Sequence, residues 1–123
     1  MIKLLQLALG GALGTLARYG LNGVISERVA TFPLGTMIVN ITGCFAIGLF
    51  APLALRTEWR TFLMIGFCGG YTTFSSYGLQ TLNLAADREW LLVALNIAGS
   101  NLLGLLAVYL GLVCGRFLSG GNP

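Results

Sequence analysis

Three long stretches of this chain carry no charge: residues 29–55, 61–86 and 90–115 contain 27, 26 and 26 residues without an Asp, Glu, Lys or Arg. Each exceeds the ~20 residues that a helix needs to cross the hydrocarbon of a bilayer. A fourth stretch, residues 4–17, reaches that length if Arg18 sits near one end and the helix runs on to about Ile25. A water-soluble domain charges about a quarter of its positions, whereas here seven basic and four acidic side chains make up 9% of 123 residues. These charges cluster where loops must lie: Lys3, then Glu27 and Arg28, then Arg56, Glu58 and Arg60, then Asp87, Arg88 and Glu89, then Arg116. The reading is an all-α integral membrane protein, a single membrane domain over residues 1–123, with four transmembrane helices at about 3–25, 34–55, 61–83 and 90–116. Lys3 ahead of an apolar run also fits a signal peptide. However, Arg18, the glycine ladder and the lack of a small-x-small motif leading into a polar chain favour a retained helix.

Four spans put Lys3, Arg56, Arg60 and Arg116 on one side and Arg28 and Arg88 on the other, with Arg18 free to snorkel toward the second. That split is a weak bias under the positive-inside rule. Two topologies stay open: both termini in the cytoplasm, or insertion in both orientations with pairing of inverted copies. Glycines stand four apart at Gly10 and Gly14, Gly66 and Gly70, and Gly111 and Gly115, a spacing that lets helix backbones approach closely in lipid. Four short helices can barely enclose a water-lined path. Two copies can, so a homo-oligomer is expected.

The core is more informative for what it lacks. All four carboxylates fall in loops or at helix ends, and there is no His. Proton-coupled transport needs a titratable group inside the membrane. Membrane hydrolases need a nucleophile with its base, or paired carboxylates. Neither pattern occurs, so the chain reads as neither an enzyme nor a proton-coupled exporter. No basic cluster suits nucleic acid. Cys44, Cys68 and Cys114 sit in apolar tracts without metal-ligand spacing. The polarity that remains is neutral: Thr36, Asn40 and Thr42 in the second helix, with Asn96, Ser100 and Asn101 in the fourth. Thr36, Asn40 and Gly43 share one helical face. Interhelical hydrogen bonding accounts for each of these residues alone. Together, without charges, they favour passive conduction along a polar, neutral path.

The third helix contains GFCGGYTTFSSYG, residues 66–78. Glycine adds backbone freedom and hydroxyls compete for backbone groups, so this run weakens a helix at mid-membrane. A break there survives only when buried or lining a hydrated site, and its freed carbonyls would be hard donors suited to Na⁺. An intact helix with a glycine packing face is the competing reading. Phe74 and Tyr77, three apart, put two rings on one face beside the run. Ring edges carry positive potential and can favour a small anion without fixed charge, and Asn40 could add an N–H donor from the second helix.

These motifs, GGALGTLARYG (10–20), PLGTMIVNITG (33–43) and GFCGGYTTFSSYG, in this order and ahead of a glycine-rich fourth helix, resemble the CrcB/Fluc family of fluoride channels over nearly the whole chain. The resemblance implies a fluoride-selective passive channel in a prokaryotic plasma membrane, exporting F⁻ and lowering its toxicity. It implies an antiparallel, dual-topology homodimer with two pores, its third helices interrupted mid-membrane around a structural Na⁺ that is not transported. By motif, Gly69 and Thr72 match the positions whose backbone carbonyls hold Na⁺. Asn40 and Phe74 match pore residues, and Arg18 matches the vestibule arginine, with an interfacial anchor as its plainer role. Tyr77 stands where the family usually has a second phenylalanine. In the fourth helix Asn101 keeps one polar position, while Ile97 and Leu105 occupy others. Thr81, seven residues after Phe74, is a further candidate for the path. A noncatalytic structural subunit of a larger membrane complex is the alternative, and a small dual-topology exporter a more distant one, since it needs an intramembrane carboxylate.

Overall fold

The structure, a computed structural model, describes residues 1–29 and 31–120. Residues 30 and 121–123, within the expected single domain, lie outside the described residues. The described chain is all-helical, without a strand. α1 spans Ile2–Ser26 and α2 spans Leu34–Phe50. The third helical stretch is composite: α3 (Thr57–Arg60) runs into a π-helical segment (Thr61–Cys68), then α4 (Gly69–Tyr71), and after an interruption α5 (Phe74–Ala86). α6 covers Trp90–Leu118. Within its 29 residues an 18-residue stretch reaches a mean hydropathy of 2.0, which makes it long and apolar enough to cross a membrane.

Several helix ends differ from expectation. The second helix was expected to reach residue 55 but stops at Phe50. Pro52 explains this, because it has no N–H to give the Gly48 carbonyl and so cannot extend the helical ladder. The third helix was expected over 61–83 but begins at Thr57 and ends at Ala86. Its first turn holds Glu58, and an acidic group at a helix N-terminus is stabilising. The π winding was not anticipated.

The packing inverts that of a soluble protein. Buried apolar side chains are few (Met37, Val39, Cys68, Leu84 and Ala107), while leucines along α1 and α6 face outward. The interior is built instead from glycine and neutral polar groups, among them Thr36, Thr73 and Asn96. Apolar surface on this scale belongs against lipid or another protein.

Backbone contact at glycines joins the helices in two pairs. A Cβ on Gly10 would collide with the Phe62 carbonyl and one on Gly14 with the Phe67 carbonyl, while Gly70 abuts the Gly11 backbone. α1 therefore lies against the π segment and α4, and because Gly10 meets residues near 62–67 and Gly14 residues near 67–71, the two run parallel. In the second pair Gly48 meets Val108 and Leu112, while Gly111 and Gly115 meet Phe45 and Leu49, which sets α2 parallel to α6. Without hydrophobic contrast between helix and lipid, such close packing is what holds helices together.

Gly14→Val should therefore push α1 off the Phe67 backbone and cost about 1–3 kcal/mol. The predicted result is a clear drop in the melting temperature of the detergent-solubilised protein. Gly20, with no heavy atom within 4 Å of a built Cβ, provides the control: Gly20→Ala should cause no loss.

Candidate functional site

The interruption is two residues long. Thr72 (φ −80, ψ 154) and Thr73 (φ −147, ψ 109) are both extended, so the chain leaves helical geometry between Tyr71 and Phe74. Two glycines before the break and two β-branched residues within it all disfavour helix. The competing reading of an intact third helix thus gives way to a real break.

A break leaves backbone groups without ladder partners, and each one here can be followed. The Thr73 N–H, which would have bonded the Gly69 carbonyl, donates instead to Asn40 Oδ1 at 2.8 Å. Asn40 Nδ2 donates back to the Thr73 carbonyl at 3.1 Å. One side-chain amide on α2 therefore satisfies both backbone groups of Thr73, as a neighbouring strand would. Thr73 caps α5, its hydroxyl accepting the Ser76 N–H at 3.2 Å, the N–H that would otherwise have closed on the Thr72 carbonyl. The Gly70 carbonyl accepts from Thr15 Oγ1 at 3.4 Å and from Arg18 Nε at 3.2 Å. Gly69 and Thr72 thus lose their helical donors to side chains. Among the described residues no side chain, and no backbone group outside the helices, donates to either carbonyl.

Beside the break lies a cavity of about 360 Å³ whose lining includes Asn40, Gly69, Thr72, Phe74, Tyr77 and Asn101. No charged residue lines it. Six of the eight residues singled out in the sequence thus meet at one site. Phe74 is 83% exposed, and its ring centre lies 5.4 Å from that of Tyr77 at an interplanar angle of 43°. Asn101 Nδ2 donates to the Tyr77 hydroxyl oxygen at 3.3 Å. A Cβ on Gly69 would meet nothing within 4 Å, so no close contact within the chain requires glycine there.

The other two candidates sit apart. Arg18 lines a second cavity, of about 160 Å³, together with Asn22, Ser76 and Gln80. Thr73 lines both cavities. Thr81 lines neither; its hydroxyl donates to the Tyr77 carbonyl at 2.7 Å and accepts from Asn96 Nδ2 at 2.8 Å. Asn96, 2% exposed, thereby ties α6 to α5. This tie was visible in the sequence only as a polar residue in an apolar helix. The link between Thr42 Oγ1 and the Tyr71 hydroxyl, 2.8 Å apart, is a second side-chain contact that spacing does not reveal.

Residues 5–112 match the family described as CrcB-like protein, Camphor Resistance (CrcB). The chain belongs to the CrcB family. Its relatives include a protein from Paramagnetospirillum magneticum named fluoride-specific ion channel FluC, 49% identical over 127 residues that cover 97% of this chain and 99% of the relative. Proteins of the same name from Opitutus terrae (46% identical, 87% of each chain) and Solibacter usitatus (49% identical, 94% of this chain and 99% of the relative) are similar in extent. As CrcB-family members these are channels rather than enzymes, and the Asn40, Phe74 and Tyr77 cavity lies within the matched region.

If the Asn40 amide holds the break, Asn40→Ala leaves a donor and an acceptor of Thr73 unpaired. The expected loss is about 2–3 kcal/mol of unfolding free energy, read from thermal or denaturant unfolding in detergent. An unchanged midpoint would mean that the break is held by other contacts.

Proposed function

We propose that this chain is a fluoride-selective channel that lets F⁻ leave the cytoplasm passively across a prokaryotic plasma membrane and so lowers fluoride toxicity. What carries the reading is a neutral cavity, edged by aromatic rings and amide donors, in a chain similar along nearly its whole length to proteins named for fluoride conduction. Fluoride is small and strongly hydrated, so a path must replace water with donors, yet hold the ion weakly enough to release it. Ring edges at Phe74 and Tyr77 and the remaining amide N–H of Asn40 meet both needs without fixed charge, while Asn101 lines the same cavity with its amide hydrogens directed to Ile97 and Tyr77. Thr81 serves the path by holding the Tyr77 carbonyl. In the neighbouring cavity Arg18 raises the local anion concentration.

The working unit in this proposal is a dual-topology homodimer of antiparallel chains, each a single membrane domain with its third helix interrupted at membrane depth. The Gly69 and Thr72 carbonyls fit a structural Na⁺: they are hard oxygen donors whose ladder partners have gone to Asn40 and Thr73, beside an open Gly69 Cβ position. Bound there, Na⁺ would supply a fixed positive charge beside the break.

The direct test is fluoride efflux from proteoliposomes, followed with an ion-selective electrode. Fluoride should leave while chloride stays, and replacing Na⁺ on both sides with a bulky organic cation should abolish the flux. Equal chloride efflux would overturn selectivity, and flux indifferent to Na⁺ would overturn the cation site. No flux at all, with a stoichiometric protein partner co-purifying, would favour a structural subunit.

Topology has its own test, with single cysteines placed beside Glu58 or beside Arg88 in a background lacking Cys44, Cys68 and Cys114. An impermeant thiol reagent should label about half the molecules at each site, because inverted copies expose each loop to both sides. All-or-none labelling would establish a single orientation.

A further inference from the structure

We propose that the Tyr77 hydroxyl, aimed by Asn101, is a hydrogen-bond donor to the permeating anion and adds to the ring edge a contact that a phenylalanine at this position cannot make. The inference deepens the channel reading and rests on it.

The argument turns on where hydrogens are spent. Asn101 Nδ2 lies 2.7 Å from the Ile97 carbonyl oxygen. That oxygen can only accept, so the nitrogen of the amide, not its oxygen, must face it. The same nitrogen reaches the Tyr77 hydroxyl at 3.3 Å with its second hydrogen. Nothing in that geometry lets the tyrosine donate to Asn101. The Tyr77 oxygen accepts, and its own hydrogen must point elsewhere.

The cavity lining contains four hydroxyls, on Thr72, Thr73, Tyr77 and Ser100. Three have committed their hydrogens: Thr72 to the Cys68 carbonyl at 2.9 Å, Thr73 to Ser76 Oγ at 3.0 Å, and Ser100 to Asn96 Oδ1 at 3.4 Å. Among the described residues no acceptor takes the Tyr77 hydrogen. Tyr77 is thus the uncommitted hydroxyl of the lining. A phenol is also the strongest neutral donor among these hydroxyls, because its ring draws electron density from the oxygen. Accepting from Asn101 polarises the O–H further, since hydrogen bonds in a chain strengthen one another. The Thr81 hydroxyl fixes the Tyr77 backbone at 2.7 Å. The ring is therefore held from both ends. Asn101 acts on this contact as a positioning residue.

The test measures fluoride flux against fluoride concentration for the native channel, Tyr77→Phe, Asn101→Leu and the double variant, with dimer content and melting temperature recorded for each. Losing a hydrogen bond to a charged acceptor should raise the half-saturating fluoride concentration about tenfold or more in Tyr77→Phe. Asn101→Leu should raise it less, and should add nothing to that contact in the Tyr77→Phe background, because its effect there runs through the hydroxyl. A Tyr77→Phe channel with the native half-saturation would overturn the proposal. So would a loss of dimer content without a change in half-saturation, which would assign the hydroxyl to a subunit contact. An Asn101→Leu effect of equal size in both backgrounds would overturn the positioning role. A native protein that passes no fluoride would overturn the channel reading itself, whereas a conducting native protein matched by Tyr77→Phe would overturn the hydroxyl contact alone.

Discussion

A single side-chain amide holds the third helix in two pieces. A peptide group removed from water must find a partner, and a helix break creates several that have none. Asn40 resolves the most difficult pair by presenting its oxygen and its nitrogen to the N–H and C=O of Thr73. Its position on α2, a helix locked to α6 by glycine contacts, lets this amide act as a rigid template. The remaining features of the site depend on that pairing. It diverts the donor that Gly69 would have used, frees Thr73 to cap α5, and sets the direction in which α5 carries Phe74 and Tyr77.

The way the helices are joined explains how so polar an interior is tolerated. Leucine and isoleucine face outward, where they meet surroundings as apolar as themselves, and glycines bring backbones together inside. Close backbone contact leaves few places for large side chains, and the cavity beside the break combines short hydroxyls and amides with Ile47, Met64, Phe74 and Tyr77. The hydroxyls and amides bond mostly to one another and to carbonyls. A cavity lined in this way offers neutral donors without charge, and these are few and placed by the fold.

Much of this was legible in the chain, and the reasons differ from element to element. The charge-free tracts mark the helices because charge is excluded from hydrocarbon whatever the packing. The Gly10, Gly14, Gly66 and Gly70 spacing gives the α1 contact because a helix repeats near four residues, and residues 66–78 announce a break because glycine and hydroxyls oppose helix locally. The early end of α2 was equally readable, since Pro52 forbids continuation; a boundary drawn from charges alone passes over it. The π-helical winding of Thr61–Cys68 has no such local mark. Nor do the Asn96 and Thr81 tie or the Asn101 and Tyr77 contact, because each joins residues 15 or 24 apart across two helices and depends on their relative rotation. Thr81 looked like part of the path because helical spacing puts it below Phe74. Its hydroxyl bonds to the Tyr77 carbonyl and to Asn96, partners that spacing does not reveal.

Thr73 borders both cavities, the neutral one beside the aromatic rings and the one that contains Arg18. It is also the residue whose backbone Asn40 grips and whose hydroxyl starts α5. The residue shared by the two cavities is therefore also one held by several hydrogen bonds. The position of this shared wall is set by three hydrogen bonds rather than by loose side-chain packing, so a substitution that releases Thr73 would reshape both cavities at once.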